Sequence, residues 1–188
     1  MSGFETVTVE QFKDFFYRDF PFLPIYDSSK IYWKEDIVYE GNFYKSLKDN
    51  NTDSLDNVES WQIVKDDIYN YITDTDIEKA MTQARVSCNP SFGDTCQEKT
   101  NIFLHLVAYY LVIDIKNSSS GINSSFLGTL ASKHVGDVSE SYAIPQWMSV
   151  DPMYSIYGQN GYGLKYLSLI APYMSCTILF SRGESTCG

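Results

Sequence analysis

Positive charge is scarce in this sequence: 14 Lys and Arg stand against 24 Asp and Glu, a formal net charge of -10. Binding to a phosphate backbone needs clustered Lys and Arg to displace condensed counterions, so direct nucleic-acid binding is not expected. Histidine is rarer still. His105 lies in an apolar run and His134 in a polar one, and neither stands near Ser, Cys or carboxylates in the pattern of a hydrolase. They read as a core and a surface histidine, and no enzyme activity is expected. The four cysteines, Cys88, Cys96, Cys176 and Cys187, lack both the paired spacing and the His partners of a zinc site, and read as free thiols of a reducing compartment.

Long hydrophobic runs are missing too. Ile102 to Ile113 and Tyr166 to Ser181 fall short of the ~20 residues that cross a bilayer, and Pro172 interrupts the second, so no membrane association is expected. The first residues lack a basic region followed by an apolar one, so no secretory signal is expected there, and Asn50-Asn51-Thr52, Asn117-Ser118-Ser119 and Asn123-Ser124-Ser125 mark polar loops rather than glycosylation sites. The spaced glycines of Gly158-Gln159-Asn160-Gly161-Tyr162-Gly163 lack the Lys-Ser/Thr ending of a nucleotide loop and a preceding hydrophobic strand. Asp74-Thr75-Asp76 reads as acidic residues at a helix start, where the macrodipole favours them, rather than as a metal pair. No metal or cofactor is expected, and no repeat period of 20–50 residues points to a solenoid.

What the chain has is aromatic surface. Aromatics make up 15% of the 188 residues, with 15 Tyr and 11 Phe, and 44% of the chain is hydrophobic, enough for one core. Tyr offers large contact area with a polar tip, which suits either a protein that is mostly interface or a Tyr-rich core.

Local patterns predict an α+β fold, mainly an α-helical bundle with a small β insert and an extended arm in the C-terminal third. Thr8 with Gln11 has the spacing of a capping box, opening a helix over about 9–19 that places Phe12, Phe15 and Phe16 on one face and is stopped by Pro21 and Pro24. Thr75 with Glu78 repeats the spacing before Ile77, Ala80, Met81 and Ala84 recur at helical intervals, and Thr95 with Glu98 precedes a run from Ile102 to Ile115 that is apolar on nearly all sides, the expected hub. From Tyr32 to Val64 the texture is β-like, with Glu40-Gly41-Asn42 as a turn. The predicted division is therefore a helical domain of residues 1–31 and 65–188 around an insert of residues 32–64. Residues 117–128 lead into an arm of about 128–145, in which Val138, Glu140 and Tyr142 alternate with Ser139 and Ser141 as in a strand with one face against a partner. A final helix over about 160–170, with Tyr162, Tyr166, Leu167 and Ile170 on its buried face, is predicted to end at Pro172 and to be followed by a short strand over 175–180.

Gly136-Asp137-Val138-Ser139-Glu140-Ser141-Tyr142 followed by Tyr162-Gly163-Leu164-Lys165-Tyr166-Leu167 resembles the head–tail adaptor (connector) proteins of tailed bacteriophages, in which a Gly-x-Val-Ser-x-x-Tyr segment precedes a Tyr-Gly-x-x-Tyr-Leu helix. The resemblance extends over Thr8-Val9-Glu10-Gln11-Phe12, the helix from Asp76, the central helix and the region from about 125 to 170. It departs at Ala108-Tyr109, where relatives often place Ala-His, and at the insert. It implies a structural protein of the virion neck, assembled in the bacterial cytoplasm: a twelve-subunit ring below the portal protein that extends the DNA channel, passes DNA without reading its sequence and receives the next neck or tail component. It further implies that Gly136, Val138, Ser139, Tyr142, Tyr162, Tyr166 and Leu167 contribute to contacts with neighbouring subunits or the portal.

The insert carries a second, partial resemblance. Tyr32-Trp33, Asp36-Ile37-Val38-Tyr39, Gly41, Tyr44 and Trp61-Gln62-Ile63-Val64 are similar in order to the small chitin-binding-type β modules of secreted glycosidases, which usually have Gly where Glu35 stands. It implies an alternative, a carbohydrate-binding or decoration protein working through Trp33, Tyr39, Tyr44 and Trp61. The same four rings read equally as anchors that pack the insert or hold it against another subunit.

Overall fold

A computed structural model of the chain describes the backbone of residues 4, 6–120, 132–135, 138–141 and 152–181, and side chains over 4, 6–119, 153 and 155–174. The fold is α+β. Its elements are α1 (Val9–Phe15), β1 (Ile37–Glu40), β2 (Asn42–Ser46), β3 (Trp61–Val64), a 3-10 turn (Ile68–Asn70), α2 (Asp74–Ser87), α3 (Cys96–Ser120), β4 (Ser132–Val135), β5 (Val138–Ser141), α4 (Pro152–Tyr157) and α5 (Gly161–Ser181). They fall into two compact units, one of residues 13–74 and one of residues 1–12 with 75–188. Among the described residues no helix is long and apolar enough to cross a membrane.

The unit of residues 13–74 is built on an antiparallel sheet of order β1-β2-β3, with Gly41 at φ +72° making the expected reversal between β1 and β2. Alternation divides its side chains between two faces. Val38, Tyr44 and Ile63 pair across the strands on one face, which Trp61 shares. There Tyr32, Val38 and Trp61 form a buried cluster, with Tyr26, Tyr44 and Leu55 packed at its margin. On the other face Phe43 stacks on Tyr71 at 5.4 Å and meets Tyr39 at 4.9 Å. The unit is wider than the 32–64 insert because flanking segments join the sheet's backbone. Leu23 N–H donates to Ile72 O (2.9 Å), Ile72 N–H to Pro21 O (2.9 Å) and Tyr39 N–H to Pro24 O (2.7 Å). An ion pair between Lys13 and Asp74 at 2.7 Å brings the two ends of the unit together. Glu35, the position at which the chitin-binding-type modules usually have Gly, sits at φ +79°, the left-handed region that glycine favours, and its carboxylate pairs with Lys45.

The helical unit begins with the expected capping box: Gln11 N–H donates to Thr8 Oγ1 (3.3 Å) and Thr8 N–H to Gln11 Oε1 (3.1 Å). α1 ends at Phe15, not near 19, and the chain turns there through Asp19 N–H to Phe16 O. Phe12 and Phe16 are both buried, while Phe15 is 47% exposed, so two of the three expected rings are buried and one is not. α2 starts at Asp74, which puts Thr75 inside the helix rather than at its cap, and it buries Ile77, Ala80, Met81 and Ala84 as the periodicity predicts. The Thr95–Glu98 box does open α3: Glu98 N–H donates to Thr95 Oγ1 (3.2 Å), and Glu98 Oε2 accepts from the N–H groups of Asp94 and Thr95. Within α3, Ile102, Phe103, Leu104, Leu106, Val107, Ala108 and Leu111 are all buried, the pattern of a central helix.

α2 and α3 run antiparallel. Asp114 of α3 accepts from Gln83 (2.8 Å) and pairs with Lys79 (3.0 Å), and Tyr110 donates to Ser87 Oγ (2.7 Å). α5 also runs against α3 in reverse, Asn160 meeting Tyr109 and Tyr173 meeting Glu98. The expected end of the last helix at Pro172, and the strand beyond it, are overturned: α5 runs on to Ser181. A proline removes one ladder bond. Pro172 and Ser168 both lie on the exposed side of α5, where water can take the carbonyl that the proline leaves free. The arm is extended where it is described: β5 is a strand, as expected, and it pairs with the chain's own β4 in the register Ser132↔Ser141 to Val135↔Val138. Gly136, Asp137 and Tyr142 lie outside the described residues.

Candidate functional site

The motif Tyr162-Gly163-Leu164-Lys165-Tyr166-Leu167 forms the joint between α4, α5 and α3. Asn160 caps α5: its Oδ1 accepts from Gly163 N–H (2.9 Å), its carbonyl accepts from Leu164 N–H (3.1 Å), and its Nδ2 donates to Tyr109 O on α3 (3.3 Å). Tyr109 in turn donates its hydroxyl to Ile156 O on α4 (2.9 Å). A chain of rings runs through the joint, from Tyr110 to Tyr109 (5.1 Å), on to Tyr157 (5.1 Å) and then Tyr166 (5.0 Å). Gly163 is buried where these elements meet, and a Cβ added there would overlap the Tyr157 carbonyl and lie 2.7 Å from Tyr109 Cδ2.

Tyr166, Leu167 and Ile170 are buried, at 1%, 3% and 0% exposure, and Tyr162 is half-buried. The buried face expected of the last helix is therefore present. The same burial corrects the assignment of Tyr166 and Leu167 to a subunit or portal contact, because their surfaces are already spent inside the subunit. Val138 and Ser139 lie on β5, and Gly136 and Tyr142 lie outside the described residues.

The joint is electrically quiet. Burial, then neighbouring Tyr110, pushes Tyr109 up to about 12, and burial likewise raises Tyr157 and Tyr166. Burial pushes the Cys88 thiol up to about 11, which keeps it protonated and a poor nucleophile at neutral pH. His105 is 9% exposed with its Nδ1 2.9 Å from Asn101 O, so that nitrogen carries the proton and donates: it is a core histidine. The corner made by Tyr109, Tyr157 and Gly163 was not legible in the sequence, since Tyr109 and Tyr157 are far apart along the chain. The Asn160-x-x-Gly163 spacing of a cap was the one local signal for it.

In the other unit the four ring residues do not converge. Trp61 is buried at 3% exposure, donates Nε1–H to Asp53 O (3.0 Å) and meets Tyr32 and Tyr26 edge-on at 5.4 and 5.9 Å. Tyr39 and Tyr44 lie on opposite faces of the sheet, and Trp33 is 56% exposed. They do not make one stacking platform.

A polar knot ties the loop that brings Trp61 in. Asn51, fully buried, donates to Ser46 Oγ (3.0 Å) and Ser60 O (2.9 Å). Asp53 accepts from Lys48 (2.7 Å), Ser60 and Asn57 (2.8 Å). Hydrogen bonds from Lys48 and Ser60 hold the Asp53 carboxyl below its ordinary value. A carboxylate lowered in the folded state stabilises above its unfolded pKa, and that contribution is lost as the pH falls through the folded value. Thermal stability should therefore fall on acidification from about pH 4 downward, and Asp53→Asn should flatten that slope while lowering stability at neutral pH. A slope unchanged in a melting series across pH 2–6 would refute the assignment.

The chain matches no protein-family model, no curated protein and no solved structure.

Proposed function

We propose that this protein is a head–tail adaptor of a tailed bacteriophage, a structural rather than catalytic component of the virion neck. Twelve copies form a ring beneath the portal protein, extend the DNA channel and receive the next neck or tail component. One observation carries the reading. Every segment that bears the adaptor resemblance, Thr8–Phe12, the helix from Asp76, the central helix and the region of about 125–170, falls within the compact unit of residues 1–12 and 75–188. The longer of the two departures, the insert of residues 32–64, falls in the other unit, while the departure at Ala108-Tyr109 lies in this one. An adaptor chain that has acquired a module between its first and second helices divides in this way. The joined ends at Lys13 and Asp74 are what such an insertion requires, because the host helices then keep their places.

The joint at Gly163 gives the Tyr-Gly-x-x-Tyr-Leu motif a physical purpose: glycine for close approach, Tyr and Leu for the core. Charge fits the role as well. Twelve copies at -10 each carry a formal charge of -120, which disfavours adhesion of DNA phosphates to the channel wall.

Mass measurement of the purified protein with and without the portal protein of the same phage tests the proposal. A complex with twelve copies of this chain per portal ring is expected. A monomer that leaves the portal unbound at micromolar concentrations of both would overturn it.

A further inference from the structure

On the unit of residues 13–74 a groove of about 560 Å³ is lined by Tyr26, Ser28, Glu40, Tyr44, Thr52, Ser54, Leu55 and Asp56. Tyr26, Tyr44 and Leu55 belong to the margin of the Trp61 cluster, so they give the groove apolar walls backed by packed core. Hydroxyl groups and two carboxylates supply the rest, and no Lys, Arg or His lines it.

The two carboxylates differ from their neighbours. Along residues 27–56 the other acidic side chains already have partners: Asp27 accepts from Ser29, Glu35 pairs with Lys45, Asp36 and Asp49 accept from the backbone of Trp33 and Lys34, and Asp53 pairs with Lys48. Asp56 has only the Ser54 hydroxyl at 3.3 Å, and Glu40 makes no side-chain hydrogen bond or ion pair; both are exposed. The Glu40 carboxylate is nevertheless near enough to Tyr26 to help raise its pKa, after burial and Tyr32. The unit as a whole holds 13 acidic against 7 basic residues, a net -6 of the chain's -10.

A mostly polar groove that carries tyrosine and leucine surface beside two carboxylates without an ion-pair partner fits an amphipathic cation. The methylene stem of a Lys or Arg side chain covers tyrosine and leucine surface, while its head reaches a carboxylate or an aromatic face. A neutral ligand would gain nothing from the charge of these two exposed carboxylates. We infer that this groove binds a basic segment of another protein, seating Lys or Arg side chains against Tyr26, Tyr44 and Leu55 with their charges at Glu40 and Asp56. The inference does not depend on the adaptor reading, since any partner with an exposed basic segment qualifies.

The test is an NMR titration of the full chain with a synthetic (Arg-Gly)₄ amide peptide. Shifts centred on the amides of Glu40, Tyr44 and Thr52 to Asp56 are expected, weakening as salt is raised. Glu40→Gln with Asp56→Asn should weaken binding at least ten-fold, whereas Asp14→Asn with Asp19→Asn, which removes the same charge outside the groove, should change it less than two-fold. Preserved amide dispersion in both double variants checks the fold, and Tyr44→Leu, which keeps the carboxylates, should weaken the arginine peptide more than a matching lysine peptide. Equal loss in both double variants would mean diffuse charge attraction and would overturn the proposal. So would absence of shifts at these amides, or their displacement by a neutral N-acetylated sugar oligomer that binds more tightly than the peptide.

Discussion

Gly163→Ala is expected to destabilise the helical unit by about 3 kcal/mol or more, because overpacking costs most when backbone must move. The added methyl would overlap the Tyr157 carbonyl at the end of α4 and press on the Tyr109 ring, 2.7 Å away. Neither neighbour can step aside cheaply. The Tyr157 carbonyl is backbone, and Tyr109 is fixed by its hydroxyl bond to Ile156 O and by ring contacts to Tyr110 and Tyr157. Relief therefore requires α5 to back away from α4 and α3, which loosens the Asn160 bonds to Gly163 and Tyr109 and the packing of Tyr166. Gly161→Ala is the matched control. A Cβ there meets nothing, so it should be neutral or stabilise by up to ~1 kcal/mol through helix propensity. Urea denaturation of the two variants reads the difference. Equal midpoints would mean that α4 and α5 do not approach each other at Gly163.

The parts of this fold that were legible in the sequence are those that local spacing decides. Thr8 with Gln11 and Thr95 with Glu98 are capping boxes in the structure, and Ile77, Ala80, Met81 and Ala84 are the buried stripe of α2. The same spacing at Thr75 and Glu78 misled, because it cannot choose between adjacent polar residues when several could begin a helix. Pro172 misled for a related reason. A proline shows which backbone bond is lost, not whether neighbouring packing carries the helix past the gap, as the contact of Tyr173 with Phe92 and its bond to Glu98 do here.

At the candidate site the limit is distance along the chain. Burial of Tyr166 and Leu167 followed from periodicity, whereas the reason for Gly163 lies on α3 and α4, which no local window contains. The strand alternation of β5 was visible, yet its pairing with β4 was not, since one alternating strand does not name its partner. The four insert aromatics show the same gap. Composition marks them all as large rings on short strands, but only the register and the loop of residues 47–60 decide that Trp61 goes in and Trp33 stays out.

That difference sets the effect expected for Trp61→Ala, a loss of about 3–5 kcal/mol in the unit of residues 13–74. Trp61 is 3% exposed, touches Tyr26 and Tyr32 edge-on, and its indole N–H is bonded to Asp53 O, so alanine removes packing and a hydrogen bond together. A unit of about 60 residues buries only about 60% of the surface its unfolded chain exposes, less than larger domains do, and has on the order of 3–9 kcal/mol of stability in total, so this one change should bring it close to unfolding. Trp33→Ala, at a ring 56% exposed, should stay within about 0.5 kcal/mol of the parent. Loss of dispersed amide resonances from residues 37–64 in Trp61→Ala, with those resonances kept in Trp33→Ala, is the expected result, and a Trp61→Ala protein with native dispersion there would sink the core assignment. The pair also fixes how any sugar-binding assay on this unit must be read. Binding abolished by Trp61→Ala reports only an unfolded module, while binding abolished by Trp33→Ala, in a module that is still folded, identifies a ring that touches the glycan and would favour the carbohydrate-binding alternative.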